Sequence, residues 1–286
     1  VGSISGTGVA TLTTSGTLLR LQDFAGTPGN TVSIGSGTLL RVTGGSTVTA
    51  TSLLEVANST LSLSDAFFRI DGGSTIKTSQ GPAVRLTNSS VFADALYNST
   101  GQIQNTLDFT GTIVDLTNSH LTVNTFGREN LQLDSAFALR LGTNEPMFRL
   151  NNGTVTETLA NPDGINLAGS LTNNVQSGVI LIATNNSAFS VLGPLLTFEG
   201  LAFTDPNPLV QLTSSTLNAA SVANVIDSVR PSSLQGQLLT ATNSTLSLTS
   251  NLMTVTGGGL LSSPTTNPLV SLAGGTLSTG AEAFGA

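Results

Sequence analysis

A unit of about fifteen residues recurs along the chain: an apolar, apolar, any, apolar quartet, a Gly/Asn/Ser bend, then a short alternating Ser/Thr-rich segment. In register it reads TLLRLQ (17 to 22), TLLRVTGGSTVTA (38 to 50), SLLEVANSTLSLS (52 to 64), AFFRIDGGSTIKTS (66 to 79) and PAVRLTNSSVFAD (82 to 94). It continues through TIVDLTNSHLTVN, MFRLNNGTVTET, PLLTFEGLAFTD, PLVQLTSSTLNAA, QLLTATNSTLSLT, NLMTVTGGGLLSS and PLVSLAGGTLSTG. A unit this short cannot bury a core of its own. Stacking onto its neighbours is the remaining way to remove its apolar face from water, and that makes a solenoid.

The last apolar residue of each quartet marks the period: Leu21, Val42, Val56, Ile70, Leu86, Leu116, Leu150, Ile182, Phe198, Leu212, Ala241, Val255 and Leu272. Weaker repeats fill the doubled gaps, at ALYNSTGQIQ, NLQLDS, GINLAGSLT and NVIDSV. Side chains alternate across a strand, so Phe68 and Ile70 face one way and Arg69 the other. Leu54, Val56, Phe68, Ile70, Leu196, Phe198, Val210 and Leu212 are therefore the expected core. Between the strands stand Gly44-Gly45, Asn58, Gly72-Gly73, Asn88, Asn98, Asn118, Asn152 and Asn243, residue types that tolerate a left-handed bend. One stretch, ASVANVIDSV (220 to 229), has the spacing of a helical turn but falls where the register expects a strand.

Equivalent quartets recur in the same direction, and stacking like sides makes parallel ladders. The expected fold is all-β: a parallel β-helix (β-solenoid), right-handed, built of strand-bend-strand repeats in one domain over residues 1–286. Two repeats per coil are favoured over one. The first quartet position is also steadily apolar (Leu39, Leu53, Phe67, Leu195, Leu209, Leu238, Leu252, Leu269), and a wide coil can tuck that column into its corners. Pro82, Pro146, Pro194, Pro208 and Pro268 precede quartets, where a missing ladder donor is tolerated.

Charged residues make up 9% of the chain, against about 25% in ordinary globular proteins. Solubility rests on hydroxyls and amides. A net charge of -7 with one Lys and eight Arg argues against nucleic acid and acidic membrane surfaces as partners. No apolar run is long enough for a membrane span, and the opening residues lack the basic and apolar regions of a signal peptide. With no cysteine, disulfides, thiol catalysis and zinc-thiolate sites are excluded together. No metal and no cofactor are expected.

The GGST and NSTLSL repeats, the Ser/Thr/Gly/Asn composition and the absence of Cys resemble the passenger β-helices of bacterial autotransporter adhesins and filamentous-haemagglutinin-type surface proteins. NPDGINL (161 to 167) is similar to the NPNG turn of the haemagglutinin secretion domain, with Asp163 in place of its Asn and a mid-chain position. The resemblance implies an extracellular or cell-surface protein of bacteria, with glycans or a host surface as partners.

The third quartet position points outward and carries Arg20, Arg41, Glu55, Arg69, Arg85, Asp115, Arg140 and Arg149, then Thr197, Gln211, Thr240, Thr254 and Ser271. The bland reading is a solvated ladder of opposite charges, worth roughly 0 to 1 kcal/mol per pair. The functional one is a basic stripe of Arg20, Arg41, Arg69, Arg85, Arg140 and Arg149 for acidic glycans or a neighbouring subunit. A second column holds Thr47, Thr49, Thr60, Ser62, Thr154, Thr156, Thr245, Ser247, Thr276 and Ser278. It resembles the threonine arrays of ice-binding solenoids, although Lys77, Phe92 and His120 interrupt it, and the strand propensity of Thr explains it more simply. Asn58, Asn88, Asn98, Asn152, Asn185 and Asn243 head N-x-Ser/Thr sequons where a bend also wants Asn.

Catalysis finds little support. His120 is the single histidine, and a Ser-His-Asp centre would have to use it. Glycan-cleaving β-helices need clustered carboxylates, whereas Asp65, Asp71, Asp94, Asp108, Asp115 and Asp134 are scattered. The expectation is a structural or adhesive rod without enzymatic activity. A glycan- or ice-binding module is the alternative, and a polysaccharide lyase or hydrolase comes third. Because repeats run from the first twenty residues to TLSTG (276 to 280), uncapped ends are expected, with end-to-end self-association or continuation into a longer solenoid.

Overall fold

Each quartet forms a strand because its β-branched and aromatic residues alternate with polar ones, so one edge can be buried while the other stays wet. Ser52–Ala57 and Ala66–Asp71 have their last two apolar residues inward and Glu55 and Arg69 outward between them. The computed structural model describes residues 2–4, 9–23, 29–100, 105–109, 111–129, 137–141, 145–159, 165–168, 175–176, 179–200, 202–226 and 231–285. Among these there is no helix, and the chain is a parallel β-solenoid. It divides into two compact units, Val1–Thr143 and Asn144–Ala286.

In the first unit the chain visits four strand rows in turn. The first row stacks Thr17–Gln22, Ser52–Ala57, Val84–Thr87 and Val114–Thr117, aligning Leu21, Val56, Leu86 and Leu116. The second stacks Thr31–Ile34, Thr60–Leu63 and the opening halves of Ser90–Thr100 and His120–Glu129. The third stacks Gly2–Ile4, Leu40–Val42, Ala66–Asp71 and the closing halves of the same two long strands. The fourth stacks Thr11–Thr13, Thr47–Ala50, Thr75–Thr78, Asn105–Phe109 and Phe137–Leu141. Ladder partners in this unit are 28 to 38 residues apart. One coil is thus two strand-bend-strand repeats.

The second unit has the same plan. Its first row holds Phe148–Asn151, Leu181–Thr184, Val210–Thr213 and the starts of Leu239–Leu248 and Val270–Thr279. Its second row holds Thr154–Glu157, Ala188–Ser190, Thr216–Ala219 and the ends of those two long strands. The third runs through Ile165–Ala168, Leu196–Glu199, Ala223–Ile226, Met253–Val255 and Phe284–Gly285. The fourth runs through Val175–Gln176, Ala202–Phe203, Ser232–Leu234 and Leu261–Ser262.

Of the expected core, Leu54, Val56, Phe68, Ile70, Leu196, Val210 and Leu212 are all buried. The side chain of Phe198 lies outside the described residues. Phe68 packs between Phe67 and Phe109 at centroid distances of 6.2 and 6.4 Å, and Phe148 meets Phe189 edge to face at 5.1 Å. Such pairs add to burial because ring edges and faces carry opposite partial charge. The first quartet position is tucked in as a wide coil requires: Leu39, Leu53, Phe67, Leu195, Leu209, Leu238 and Leu252 are buried, and Leu269 of the last coil is partly so.

Three readings are corrected by the ladders. Ile182 faces outward between Arg149 and Gln211, and Leu181 and Ala183 take the inward places. Thr197, expected outside, is buried at 1% exposure. Asn98 lies within the strand Ser90–Thr100 opposite Arg69, not in a bend. ASVANVIDSV, in contrast, is strand at Ala223–Ile226 as the register expects, held between Leu196–Glu199 and Met253–Val255. The first four residues of NPDGINL, all of NLQLDS and most of GINLAGSLT lie outside the described residues.

Candidate functional site

The bends fix what the outer surface can present. Asn58, Asn88, Asn118, Asn152, Asn185 and Asn243 all adopt left-handed backbone, with φ between 48° and 57°. Of the ordinary residues Asn tolerates this conformation best, because its short amide can hydrogen-bond locally. In the first unit the amides also bond from coil to coil, Asn118 Nδ2 to Asn88 Oδ1 and Asn88 Nδ2 to Asn58 Oδ1, both at 3.1 Å. In the first unit the serine that follows Asn58, Asn88 and Asn118 turns inward. Ser59 N donates to Ser89 Oγ at 3.2 Å, Ser89 N donates to Ser119 Oγ at 3.0 Å, and each hydroxyl donates to the carbonyl two residues before it. Here the sequon pattern is bend chemistry. Asn supplies the conformation, and Ser satisfies a buried N–H that no strand partner reaches.

A second inner device escaped the sequence reading. Where earlier coils use Gly44-Gly45-Ser46 and Gly72-Gly73-Ser74, the next places fully buried Asn105. Its Oδ1 accepts from the backbone N–H of Gly73 and Ser74 at 3.0 and 3.1 Å, and its Nδ2 donates to Ile70 O and Ser99 Oγ. The visible signal is a lone Asn opening the alternating segment NTLDF.

The six arginines of the expected stripe are distributed among different rows. Arg20 and Arg85 share the first row with acids, in the order Arg20, Glu55, Arg85, Asp115. Contacts of 2.6, 3.5 and 3.7 Å join successive members into an alternating ladder. Arg41 and Arg69 are ladder neighbours in the third row. Arg140 has its backbone in the fourth row beside Asp108, and its side chain lies outside the described residues. Arg149 belongs to the second unit and pairs with Glu145 four residues earlier.

The hydroxyl column divides in the same way. Thr47 and Thr49 stand in the fourth row with Thr11, Thr13 and Thr75. Thr60 and Ser62 stand in the second, where Ser90, His120 and Phe92 continue the columns. In the second unit Thr154, Ala188, Thr216, Thr245 and Thr276 form one column and Thr156, Ser190, Asn218, Ser247 and Ser278 another.

Among the described residues, Asp65 and Asp94 take equivalent places on successive coils, Asp94 N–H donating to Asp65 O at 3.2 Å, which corrects the expectation that all these acids are scattered; the others stand at separate positions. Asp71 pairs with Arg41 at 3.4 Å and Asp108 with Lys77 at 3.2 Å. Asp94 accepts from Asn124 Nδ2 at 2.8 Å, and Asp65 caps the N–H of Ala66. Asp205, buried in the Asp-Pro-Asn-Pro corner, accepts from both the backbone and side chain of Asn207 at 2.8 Å. Asp134 lies outside the described residues. Among those described, no three His, Cys, Asp or Glu side chains stand together as metal ligands would. Comparison of the chain with models of protein families finds no match, and comparisons with curated proteins and with solved structures find none either.

Proposed function

We propose that this chain is a structural or adhesive segment of a surface solenoid, a rod without chemistry of its own that acts by stacking further coils and by presenting its outer columns. The observation that carries the reading is that each coil covers the apolar columns of the coil before it. Val270–Thr279 pairs along one edge with Leu239–Leu248, aligning Leu272 with Ala241 and Leu277 with Leu246. Ala241 and Leu246 are 2% and 1% exposed, whereas Leu272 and Leu277 are 43% and 38% exposed. In the first unit, Leu12 is 37% exposed on top of fully buried Val48. Apolar columns left open next to a strand edge invite another strand of the same pattern. A coil of this chain and a coil of another copy meet that requirement alike. A heterologous contact of this kind does not close on itself, so it grows as a fibre.

The resemblance to autotransporter and haemagglutinin-type adhesins supports a place at the bacterial cell surface. The alternating Arg20–Glu55–Arg85–Asp115 ladder supports a structural role, since its charges are neutralised along the row. Sedimentation velocity and negative-stain micrographs of residues 1–286 provide the test. The expected result is concentration-dependent elongated oligomers, reduced when Leu277→Asp places a charge on the open column. A chain that remains monomeric at high concentration overturns the proposal.

A further inference from the structure

In the third row of the first unit, Arg41 and Arg69 occupy the same outward column on adjacent coils, about one strand spacing (~4.8 Å) apart. Two cations held in register repel, and elsewhere on this unit the repulsion is relieved by interleaving an acid, as Glu55 separates Arg20 from Arg85. Here one carboxylate contacts Arg41 alone. Asp71 Oδ2 lies 3.4 Å from Arg41 Nη2. Arg69 has no ion pair and no hydrogen bond among the described residues, and its Nε is buried without an acceptor. A covered N–H cannot itself be reached from solvent, so the outer Nη groups of Arg69 are what an anion from outside can meet. Asn98, whose amide carries both donor and acceptor, continues the column on the next coil, and the backbone of Arg128 follows it.

We propose that the Arg41–Arg69–Asn98 column binds an acidic polysaccharide, taking a sulfate or carboxylate group between the two guanidinium groups. The planar guanidinium fork matches the paired oxygens of either anion. The exposed side of Arg41 and the amide of Asn98 are left for sugar hydroxyls. A glycan laid along the column advances by about one ring per coil, which brings successive groups to successive ladder positions. Nucleic acid fits less well. The site offers two described cations on a chain of net charge -7, and a long, densely charged strand needs many phosphate contacts.

The test measures binding of the purified chain to dextran sulfate, polygalacturonate, uncharged dextran, single-stranded DNA and sodium sulfate at low ionic strength. At least one acidic polysaccharide is expected to bind, with affinity falling as salt is added, while uncharged dextran does not. Replacing both cations (R41Q with R69Q) should weaken that binding about tenfold or more, the loss of two charge-assisted contacts. Replacing Arg20 and Arg85 by Gln changes net charge equally and should weaken it less than about twofold, because those cations are already paired. Thermal unfolding of both doubles checks the fold. Should R41Q with R69Q not fold, the Nε resonance of Arg69 in the intact chain is followed instead, and it should shift on adding the polymer. The proposal is overturned by any of four results: no acidic polysaccharide binds, both doubles lose binding equally, the Arg69 resonance stays still, or DNA or free sulfate binds as tightly as the polymer.

Discussion

The side-chain amide of Asn118 donates to Oδ1 of Asn88 at 3.1 Å across one coil. Asn88 in turn donates to Asn58, so the middle residue is bonded on both sides while holding φ at 48°. Asn88→Ala should destabilise the first unit by about 1 to 2 kcal/mol, the cost of forcing an ordinary residue into left-handed backbone. Asn88→Gly keeps the conformation accessible and loses only the exposed amide bonds, so it should cost less. Urea unfolding midpoints compare the two. Equal losses would show that the ladder, rather than the backbone, is what Asn88 provides.

Beneath that column, Ser89 Oγ accepts from Ser59 N at 3.2 Å and donates to Thr87 O at 2.7 Å. Ser89→Ala leaves the Ser59 N–H buried without its partner, which should cost about 1 to 3 kcal/mol. Faster amide hydrogen exchange at Ser59 is the specific readout. Unchanged exchange there would mean that another acceptor replaces the hydroxyl.

The aromatic stack should respond more strongly than the surface. Phe68 is buried between Phe67 and Phe109, and Phe68→Ala should cost about 3 to 5 kcal/mol through lost burial and a residual cavity. Phe92, 38% exposed in an outer column, should lose less than about 0.5 kcal/mol on the same truncation. Denaturant midpoints of the two variants that coincide would contradict the inward register of the quartet.

Glu55 contacts Arg20 at 2.6 Å and Arg85 at 3.5 Å. Glu55→Gln should lower stability by less than about 1 kcal/mol, since both arginines are well exposed and screened. Glu55→Lys sets three cations in consecutive register and should cost more, with salt restoring part of the loss. A loss from Glu55→Lys that is indifferent to salt would place its origin in packing instead of charge.

Much of this fold is legible from one repeat. The pattern SLLEVA already states which residues of Ser52–Ala57 go inward, because strand side chains alternate and water penalises the wrong register. It also indicates the bends, since NS after a quartet meets both the left-handed conformation and the need for an inner hydroxyl. At Ile180 to Ala183 this logic fails for a physical reason. Four apolar residues in succession have no alternation, so the pattern puts Ile182 inward, whereas the ladder beside Arg149 and Gln211 sets it outward. Thr197 fails differently, because a hydroxyl residue at an outward position gives no sign that it will be covered.

The sequence by itself determined that parallel strands stack, which apolar columns are inside and where the chain bends, because those depend on alternation and backbone preference within about fifteen residues. Only the tertiary structure decided which repeats are neighbours. Successive repeats fall on different rows of a coil of about 30 residues, so a column that looks continuous in sequence is divided among faces. That division pairs Arg20 and Arg85 with acids and sets Arg41 against Arg69. Its cause is hydrogen bonding between strands some 30 residues apart, a distance over which no local preference acts.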